Sequence, residues 1–386
     1  MNTPKLIVIP VFKNLNVTRR CVDSVLQHTN LDTVSIVLVN DASPEPELVE
    51  QCRQWEESND SVHLIENSSN LGFVKSANKG MQFNNEHDVV LLNSDTEVSD
   101  NWLSKLSAAA YASDLVATVT PFSNNATICS YPCFLSSFDL PVDGLSVINS
   151  ACEALFCSVS IEIPTAVGFC MYIKRACLDD IGYFDEIHFG KGYGEESDFC
   201  MRAANSGWKH VLAADTFVFH EGNVSFGSSA SILKEAAEKV IAELHPSYRE
   251  TVISFIDRDP LFDLRSRLDL SLMNEGKEWA VWLYKAKMNL LQEQKSIIAE
   301  KTQAIAQLQN ALSDARNSFN IADNALLFAQ SVVADKDGVI EKLCQEQHIL
   351  TEKLASMHKY YQELESIKGS RFWRYTAFIR KLLGTL

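Results

Sequence analysis

The sequence predicts an α/β fold, in which a mostly parallel sheet flanked by helices is followed by an α-helical coiled-coil region. Two observations predict the sheet: short apolar segments rich in β-branched residues recur between residues 6 and 220, and most are followed by polar residues and a helix-length amphipathic segment. The third observation is an apolar heptad repeat that begins at Leu291, which predicts the coiled coil.

The first two predicted strands form a βαβ unit. Residues 6–11 (LIVIPV) and 34–39 (VSIVLV) are continuously apolar, which is typical of strands buried on both faces. Between them, Thr18 is a candidate cap for a helix that runs to residue 27. Such a unit is right-handed and places its two strands side by side in parallel. Asp41 then lies just beyond the carboxyl end of the second strand.

The central predicted strand is residues 88–98 (DVVLLNSDTEV). Its apolar half is followed by Asn93, Ser94 and Asp95, where the strand leaves the core. Open α/β sheets bind ligands at the carboxyl ends of their strands. An oxygen-rich cluster at that edge suits a hard cation such as Mg²⁺ or Mn²⁺. A simple turn is the alternative, because Asn, Ser and Asp are common turn residues.

Gly72 lies between a third predicted strand, at 62–66, and a helical pattern. A glycine ahead of a helix allows backbone N–H groups to approach a ligand closely, although a plain loop explains the sequence equally well. No GxGxxG motif joins a strand to a helix, so a dinucleotide site is disfavoured.

The remaining elements complete the predicted sheet. Residues 131–161 lack clear periodicity and are predicted to form a variable loop segment over the sheet. We expect a helix at 102–112, a strand leading into a polar loop at 118–130, and strands at 164–173 and 211–220, the last of which ends in His220.

A glycine-rich loop precedes a second acidic cluster, formed by Glu195, Glu196 and Asp198 at the start of a predicted helix. A helix amino terminus stabilises anionic carboxylates, so we expect these groups to stay ionised near neutral pH. An ionised carboxylate in a cleft can accept a proton from an attacking hydroxyl group. Ordinary helix capping is the alternative. Arg202, one turn further along, is expected to pair with an acid.

The composition limits the classes of function. The 386-residue chain has a formal net charge of −16, which argues against a nucleic-acid partner. Ten scattered cysteines without a CxxC pair favour free thiols in a reducing compartment over a zinc site. No signal peptide or membrane-spanning segment is visible in the sequence. A cytoplasmic protein, or one peripheral to the inner face of the membrane, is expected.

The carboxyl-terminal third has a different character from the rest. We predict a helical connector at 258–288 after a first domain at 1–257, a coiled coil at 289–367 and a basic amphipathic tail at 368–386. A rod of this length requires a partner, either a second copy or another protein. Residues 335–338 (DKDG) are a candidate break that would fold the rod into a hairpin. The tail suits an anionic membrane surface or a partner protein.

Four motifs in order resemble the family 2 glycosyltransferases, whose fold is the type A nucleotide-sugar domain: residues 9–12 (IPVF), 39–43 (VNDAS), 70–78 (NLGFVKSAN) and 91–96 (LLNSDT). This resemblance implies sugar transfer from a nucleotide-diphosphate sugar to a hydroxyl of a glycan or lipid-linked glycan, by an inverting mechanism, in cell-surface polysaccharide or O-antigen assembly. It implies a nucleotide-sugar site formed by Pro10, Val11, Asp41, Gly72, Asn93, Ser94 and Asp95.

The same resemblance implies that Asp95 and His220 bind the cation and that Glu196 is the general base, with Asp198 and Glu195 as alternatives. The family's Asp-x-Asp motif is Asn93-Ser94-Asp95 here, with one carboxylate, and Glu97 is a possible additional ligand. A catalytically inactive scaffold that acts through its coiled coil is the main alternative function, and a nucleotidyltransferase on a related sheet is disfavoured.

Overall fold

A computed structural model describes residues 3–190, 192–222, 230–318 and 323–369. The chain divides into two compact units, Met1–Leu272 and Met273–Leu386. The first unit extends past the expected boundary at residue 257, because the helix that begins at Phe262 packs onto it. In that helix, Arg265 binds Asp259 and lies 4.3 Å from the centre of the Phe134 ring.

The elements alternate between strands and helices over most of the first unit. The strands are β1 (Lys5–Val11), β2 (Val34–Asn40), β3 (Val62–Glu66), β4 (Asp88–Leu92), β5 (Thr96–Glu97), β6 (Val116–Phe122), β7 (Ser160–Ile163), β8 (Cys170–Ile173), β9 (Lys209–Phe217) and β10 (Phe219–His220). The helices are α1 (Leu15–His28), α2 (Pro46–Ser58), α3 (Phe73–Met81), α4 (Trp102–Ala110), α5 (Gly144–Phe156), α6 (Arg175–Ile181), α7 (Glu186–Phe189), α8 (Glu195–Asn205), α9 (Ala230–Leu244), α10 (Tyr248–Arg258), α11 (Phe262–Glu275), α12 (Lys277–Ser318) and α13 (Asp323–Gly369).

Eight strands form one sheet in the order β3-β2-β1-β4-β8-β6-β9-β7, which confirms the predicted α/β fold class. Strands β3, β2, β1 and β4 are parallel neighbours, so their carboxyl ends lie at one edge. Strand β8 runs antiparallel to both β4 and β6, and β7 runs antiparallel to β9. The sheet is therefore mixed, and its parallel half carries the first four strands. A separate ribbon pairs β5 with β10 in antiparallel fashion.

The core follows from the apolar strands. Residues at the centres of β1, β2 and β4, including Val8, Leu38 and Val90, are fully buried. Helix α3 packs closely on this sheet, since a Cβ atom added to Gly80 would lie 2.2 Å from the side chain of Val8. Only glycine allows this close approach, which brings the carboxyl-terminal half of α3 directly against β1.

Two predicted helix features differ from the structure. Helix α1 begins at Leu15 and is capped by Asn14, whose side chain accepts a hydrogen bond from the Val17 amide, so Thr18 lies inside the helix. Residues 131–161 are not only loop, because they contain α5 and the start of β7. The buried residues Ile148, Cys152 and Phe156 of α5 recur at the helical spacing of four, which was the available signal.

Several strands are shorter than predicted. The expected strand 88–98 is interrupted by a turn in which the Thr96 hydroxyl donates to the Asn93 carbonyl, so that β5 is a separate element. The predicted strand 164–173 is ordered as a strand only from Cys170. The predicted strand 211–220 is divided at Val218 into β9 and β10.

The second unit consists mainly of α12 and α13. The two helices pack against each other, and the rings of Tyr284, near the start of α12, and His358, near the end of α13, are 6.3 Å apart. They are therefore antiparallel. Helix α13 passes through residues 335–338 without a break, while α12 ends at Ser318. Residues 370–386 of the predicted basic tail lie outside the described residues. Among the described helices, none is long and apolar enough to cross a membrane.

Candidate active site

The carboxyl ends of β1, β2 and β4 bring three of the predicted motifs to one edge of the sheet. Pro10 and Val11 end β1 opposite Val39 and Asn40, and the Asp41 amide donates to the Val11 carbonyl at 2.8 Å. Neighbouring strands are ~4.8 Å apart, so the motifs that follow β2 and β4, on either side of β1, lie ~10 Å from each other.

Asp41 organises the loop that precedes α3. Its Oδ1 accepts hydrogen bonds from the Leu71 amide (2.7 Å) and the Asn67 side chain (2.9 Å), and its Oδ2 accepts from the Gly72 amide (2.8 Å). The carboxylate is only 5% exposed. Gly72 has a φ of +89°, a conformation that favours glycine. Asp41 and Gly72, both predicted site residues, are therefore in direct contact through this hydrogen bond.

Asp95 and His220 meet across the β5–β10 ribbon. The antiparallel register pairs His220 with Thr96, next to Asp95. The Nε2 atom of His220 lies 3.4 Å from Oδ1 of Asp95. The amides of Glu221 and Gly222 donate to the backbone carbonyl and to Oδ2 of Asp95, at 2.9 and 3.1 Å. The chain following β10 is thus fixed onto the turn after β4.

The orientation of the His220 ring suits a metal ligand. Its Nδ1 lies 2.6 Å from the carbonyl oxygen of Asn125, which can only accept, so Nδ1 carries a proton and Nε2 is the nitrogen that faces Asp95. The ring is stacked on Phe169 at a centroid distance of 5.1 Å. A nitrogen and a carboxylate oxygen at this separation fit a divalent cation such as Mn²⁺ or Mg²⁺.

The turn after β4 leaves one polar atom without a partner. The side-chain Oδ1 of Asn93 is buried and has no hydrogen bond within the protein, while its backbone amide donates to the Phe169 carbonyl at 2.8 Å. Ser94 lies between Asn93 and Asp95 and is partly exposed. Buried polar atoms are normally satisfied, so an unpartnered oxygen at this edge fits a site that is completed by a ligand.

Glu97 is not directed toward Asp95 and His220, the two residues predicted to bind the cation and called the cation pair below. Its Oε1 accepts from Nε of Arg20 at 2.8 Å, and the same guanidinium group pairs with Glu221. Arg20 of α1 therefore binds the end of β5 through Glu97 and the residue that follows β10 through Glu221. Over the part of the chain that the structure describes, no group of three or more His, Cys, Asp or Glu side chains is arranged to hold a metal.

The acidic cluster lies at the start of α8, where Phe189 and Ala237 pack closely against the preceding residue, Gly194. The helix begins after Gly194, which has a φ of +89° and would bring an added Cβ to 2.8 Å from the Phe189 ring and 3.2 Å from Ala237 of α9. Glu195 is 5% exposed and its Oε2 is without a hydrogen-bond partner, whereas Glu196 is partly exposed.

The expectation that both glutamates stay ionised is wrong for this pair. Burial, followed by the charge of Glu196, raises the pKa of Glu195 well above its usual range. Burial also raises the pKa of Glu196, but hydrogen bonds from Glu195 and from the backbone, together with the positive charge of Lys234, oppose that rise. Glu195 is consequently the group that keeps a proton, and its carboxyl donates to Glu196. Desolvation here outweighs the helix dipole.

Asp198 is occupied by structural bonds. Its Oδ2 accepts from Nε of Arg202 and its Oδ1 lies against Nε2 of His245, each at 2.8 Å, and the carboxylate is 3% exposed. Arg202 also donates to the carbonyls of Ile181 and Tyr183. The expected pairing of Arg202 with an acid is confirmed. Because both oxygens of Asp198 are engaged, we retain only Glu195 and Glu196 as candidates for proton transfer.

The cation pair and the acidic helix face the same short segment. Gly168 lies against Glu196, whose side-chain atoms would be 3.8–3.9 Å from a Cβ placed on that glycine, and the next residue, Phe169, is stacked on His220. Consecutive residues therefore link the two predicted parts of the site. His220, which lies 3.4 Å from Asp95, contacts this segment through Phe169, and the carboxyl group of Glu196 lies near it at Gly168.

The family assignment rests on the sequence around this cleft. Residues 6–182 match the model of glycosyl transferase family 2. This part of the chain belongs to that family. The match includes Pro10, Asp41, Gly72 and Asp95, whereas Glu196 and His220 lie beyond it.

Relatives of the glycosyl transferase family 2 domain are distant. The low-salt glycan biosynthesis hexosyltransferase Agl10 of Haloferax volcanii is 27% identical over 213 residues, which cover 46% of this chain and 64% of that protein. An uncharacterised protein of Sinorhizobium fredii is 22% identical over 60% of this chain and 26% of its own length. The chain therefore spans slightly under two thirds of the length of Agl10 and about a quarter of the length of the Sinorhizobium fredii protein.

A solved structure shares the fold of the family 2 domain. The structure of GalNAc-T7 with UDP, GalNAc and Mn²⁺ aligns with a TM-score of 0.51 and 16% identity, over 69% of this chain and 53% of that chain. At this identity, the similarity concerns the fold.

Several residues of the family 2 site were not found from the sequence. The Asn125 carbonyl, which orients His220, is a backbone atom and leaves no mark on the residue type. Arg20 and Phe169 reach the site only through the packing of α1 and of the segment before β8. His245, which binds Asp198, was also not found, because the two residues are distant in sequence.

Proposed function

We propose that this protein is an inverting glycosyltransferase that moves a sugar from a nucleotide-diphosphate sugar to a hydroxyl of a glycan acceptor, in the assembly of a cell-surface polysaccharide or O-antigen. The observation that supports the proposal is that two consecutive residues contact both parts of the site: Gly168 lies against Glu196, and the ring of Phe169 is stacked on His220, which lies 3.4 Å from Asp95. An enzyme that displaces a diphosphate with a hydroxyl requires these two functions on opposite sides of one sugar.

The donor's nucleotide is proposed to bind at the ends of β1 and β2. Asp41 holds the amides of Leu71 and Gly72, which fixes the loop between β3 and α3 at the same edge as Pro10 and Val11. A rigid loop at that edge reduces the conformational entropy that a ligand must remove on binding. Asp41 thus supports the donor site through the loop that it holds.

The diphosphate is proposed to lie at Asp95, His220 and Asn93. The first two would hold Mg²⁺ or Mn²⁺ through a carboxylate oxygen and Nε2, and the unpartnered Oδ1 of Asn93 lies in the same turn. The cation, when bound, would offset the negative charge that develops on the leaving diphosphate. The fold neighbour GalNAc-T7, whose structure contains UDP and Mn²⁺, supports this choice of ligand.

Glu196 is proposed as the general base. Its partly exposed carboxylate lies against Gly168, and the fully enclosed Glu195 carboxyl donates a hydrogen bond to it. Glu196 would remove the proton from the acceptor hydroxyl as that oxygen attacks the anomeric carbon on the face opposite the diphosphate. A single displacement of this kind inverts the configuration at that carbon.

Donor hydrolysis provides the test. UDP-, dTDP- and GDP-sugars are incubated with the protein and Mn²⁺, and the released nucleoside diphosphate is measured. We expect release from at least one donor, its loss in the Asp95→Ala variant, and inverted configuration of the freed sugar by NMR. Retained configuration would contradict the inverting mechanism, and release from none of the donors would contradict glycosyl transfer itself.

The carboxyl-terminal helices are proposed to mediate association. Heptad residues from 291 onward are distributed over α12 and α13, whose antiparallel packing satisfies part of the repeat within one chain. Light scattering of the full chain and of a variant ending at residue 275 would test this. The same number of chains per particle in both proteins would contradict association through these helices.

A further inference from the structure

A groove of about 590 Å³ lies behind the β5–β10 ribbon, separate from the cleft described above. Its walls come from the carboxyl end of α1, the segment between β5 and α4, and the amino-terminal half of α5. This volume is within the ~300–1,000 Å³ range of small-ligand sites in proteins.

The ribbon connects the groove to the cation pair. Consecutive side chains of a strand point to opposite faces, and in β10 His220 faces Asp95 whereas Phe219 lines the groove. Phe219 is paired with Glu97, which also lines the groove. One two-residue strand therefore contributes a cation ligand to one side and an aromatic ring to the other.

The lining is rich in oxygen atoms, and three of its carboxylates are paired: Glu97 with Arg20, Asp100 with His28 and Glu153 with Lys105. Four carboxylates line it, together with serine hydroxyls and asparagine side chains, and Phe219 and Leu145 add apolar surface. Asp100 is held by Nδ1 of His28 at 2.6 Å. The first two turns of α5 add Ser146 and Ser150, which are both exposed.

Ser99 gives independent evidence of a ligand. It is only 6% exposed, lines the groove, and its Oγ is buried with no hydrogen-bond partner in the protein. A buried hydroxyl normally finds a partner within the fold, because an unsatisfied one costs ~1–3 kcal/mol. A hydroxyl group of a bound molecule would satisfy it.

These features select a class of ligand. Phosphorylated or carboxylated molecules are disfavoured, because the lining residues include four carboxylates but no Lys or Arg to offset the negative charge of a ligand. A neutral molecule rich in hydroxyl groups matches this lining. Its hydroxyl groups can donate to the carboxylate and amide oxygens and bond with the Ser99 hydroxyl, and the C–H face of a sugar can pack on the aromatic ring of Phe219. We propose that this groove binds neutral sugars of the glycan acceptor, remote from the hydroxyl that reacts, an inference that rests on the proposed glycosyl transfer.

The test compares two tryptophan substitutions on the exposed face of α5. Ser150→Trp would fill the groove, whereas Ala154→Trp lies one turn further along, outside the lining, and is the matched control. Binding to the full chain is measured by calorimetry and saturation-transfer NMR. The probes are neutral tetrasaccharides of glucose, mannose, galactose and N-acetylglucosamine, with a hyaluronan tetrasaccharide as the anionic comparison.

We expect at least one neutral tetrasaccharide to bind the wild-type protein and Ala154→Trp equally, and Ser150→Trp to bind it at least tenfold more weakly, which corresponds to about 1.4 kcal/mol. Hyaluronan should bind more weakly than the best neutral probe. Absence of neutral binding, equal binding to both tryptophan variants, or preferred binding of hyaluronan would overturn the proposal.

Donor hydrolysis without acceptor separates this inference from the proposed function. Neither tryptophan variant changes a residue of the cation pair or the carboxylate pair, so both should release nucleoside diphosphate at the wild-type rate. Failure of the wild-type protein to hydrolyse any donor would count against glycosyl transfer, whereas the tetrasaccharide titrations report on the groove alone.

Discussion

The Nε2 atom of His220 lies 3.4 Å from Oδ1 of Asp95, and the opposite nitrogen of the ring is fixed by the carbonyl of Asn125. The two residues are far apart in sequence and are brought together by the β5–β10 ribbon. The imidazole is thereby held with Nε2 directed toward Asp95, which is the orientation that the proposed cation site requires. Such pre-orientation of a ligand by a second group strengthens metal binding.

Asp95→Ala and His220→Ala should each weaken Mn²⁺ binding by at least about tenfold, because each removes one of the two protein ligands. Titration calorimetry with Mn²⁺, with and without UDP, measures the affinity. Glu97→Gln is the control, since Glu97 is engaged with Arg20, and its Mn²⁺ affinity should stay close to that of the wild type. Unchanged Mn²⁺ affinity in Asp95→Ala would refute the cation assignment.

Replacing Glu195 and Glu196 should have unequal effects. Glu196→Gln removes the proposed base and should lower kcat by about 10²–10⁴-fold while donor binding is retained. Glu195→Gln should keep most of the activity, because Glu195 is the protonated member of the pair and glutamine preserves its hydrogen-bond donor. Steady-state kinetics and donor titration distinguish the two. The reverse order of activities would assign the base to Glu195.

The burial of Glu195 predicts a pH-dependent cost to stability. The native state keeps this proton above pH 4.5, where the unfolded chain releases it, so the native state binds more protons and its stability falls as pH rises toward the elevated pKa of Glu195. Glu195→Gln lacks this loss. Its Tm should therefore exceed that of the wild type by a margin that grows between pH 5 and pH 8.

Glu235 provides the control for that measurement. It is exposed and paired with Lys239, which lowers the pKa of Glu235. Glu235→Gln should show no widening gain in Tm over the same pH range. A constant difference between Glu195→Gln and the wild type would mean that Glu195 is already ionised in the native protein.

Asp41→Ala should destabilise the first unit and weaken donor binding together. It removes the acceptor of hydrogen bonds from Leu71, Gly72 and Asn67, and we expect a loss of about 2–4 kcal/mol in the free energy of unfolding. Urea unfolding and hydrogen exchange at residues 70–73 measure the two effects. Asp23→Ala, at an exposed position of α1, is the control. Unaltered exchange at Leu71 and Gly72 would show that Asp41 does not hold the loop.

Gly194→Ala tests the packing at the start of α8. The added methyl would lie 2.8 Å from the Phe189 ring, so we expect a loss of about 1–3 kcal/mol beyond the backbone strain, with reduced transfer. Gly207→Ala is the matched control, because its φ of +91° is similar to that of Gly194 but no atom lies within 4 Å of the added Cβ. Equal destabilisation of the two variants by urea would show that α9 does not constrain the acidic helix.

The sequence by itself determined the elements whose signal is local. Continuous β-branched segments placed β1 and β2 almost to the residue, because strands buried on both faces need an unbroken apolar sequence. The polar residues after β2 and β4 predicted one ligand-binding edge, since parallel strands end together. The heptads predicted long helices in the second unit.

Only the tertiary structure decided which side chains are available for chemistry. Glu195, Glu196 and Asp198 share one helical turn and one local pattern, yet Asp198 is held by Arg202 and His245 and Glu195 is enclosed, so that Glu196 alone remains partly exposed to the cleft. Whether a carboxyl group is paired, buried or open depends on residues that arrive from other elements. Those long-range contacts set its pKa and its reach, and residue type and spacing do not encode them.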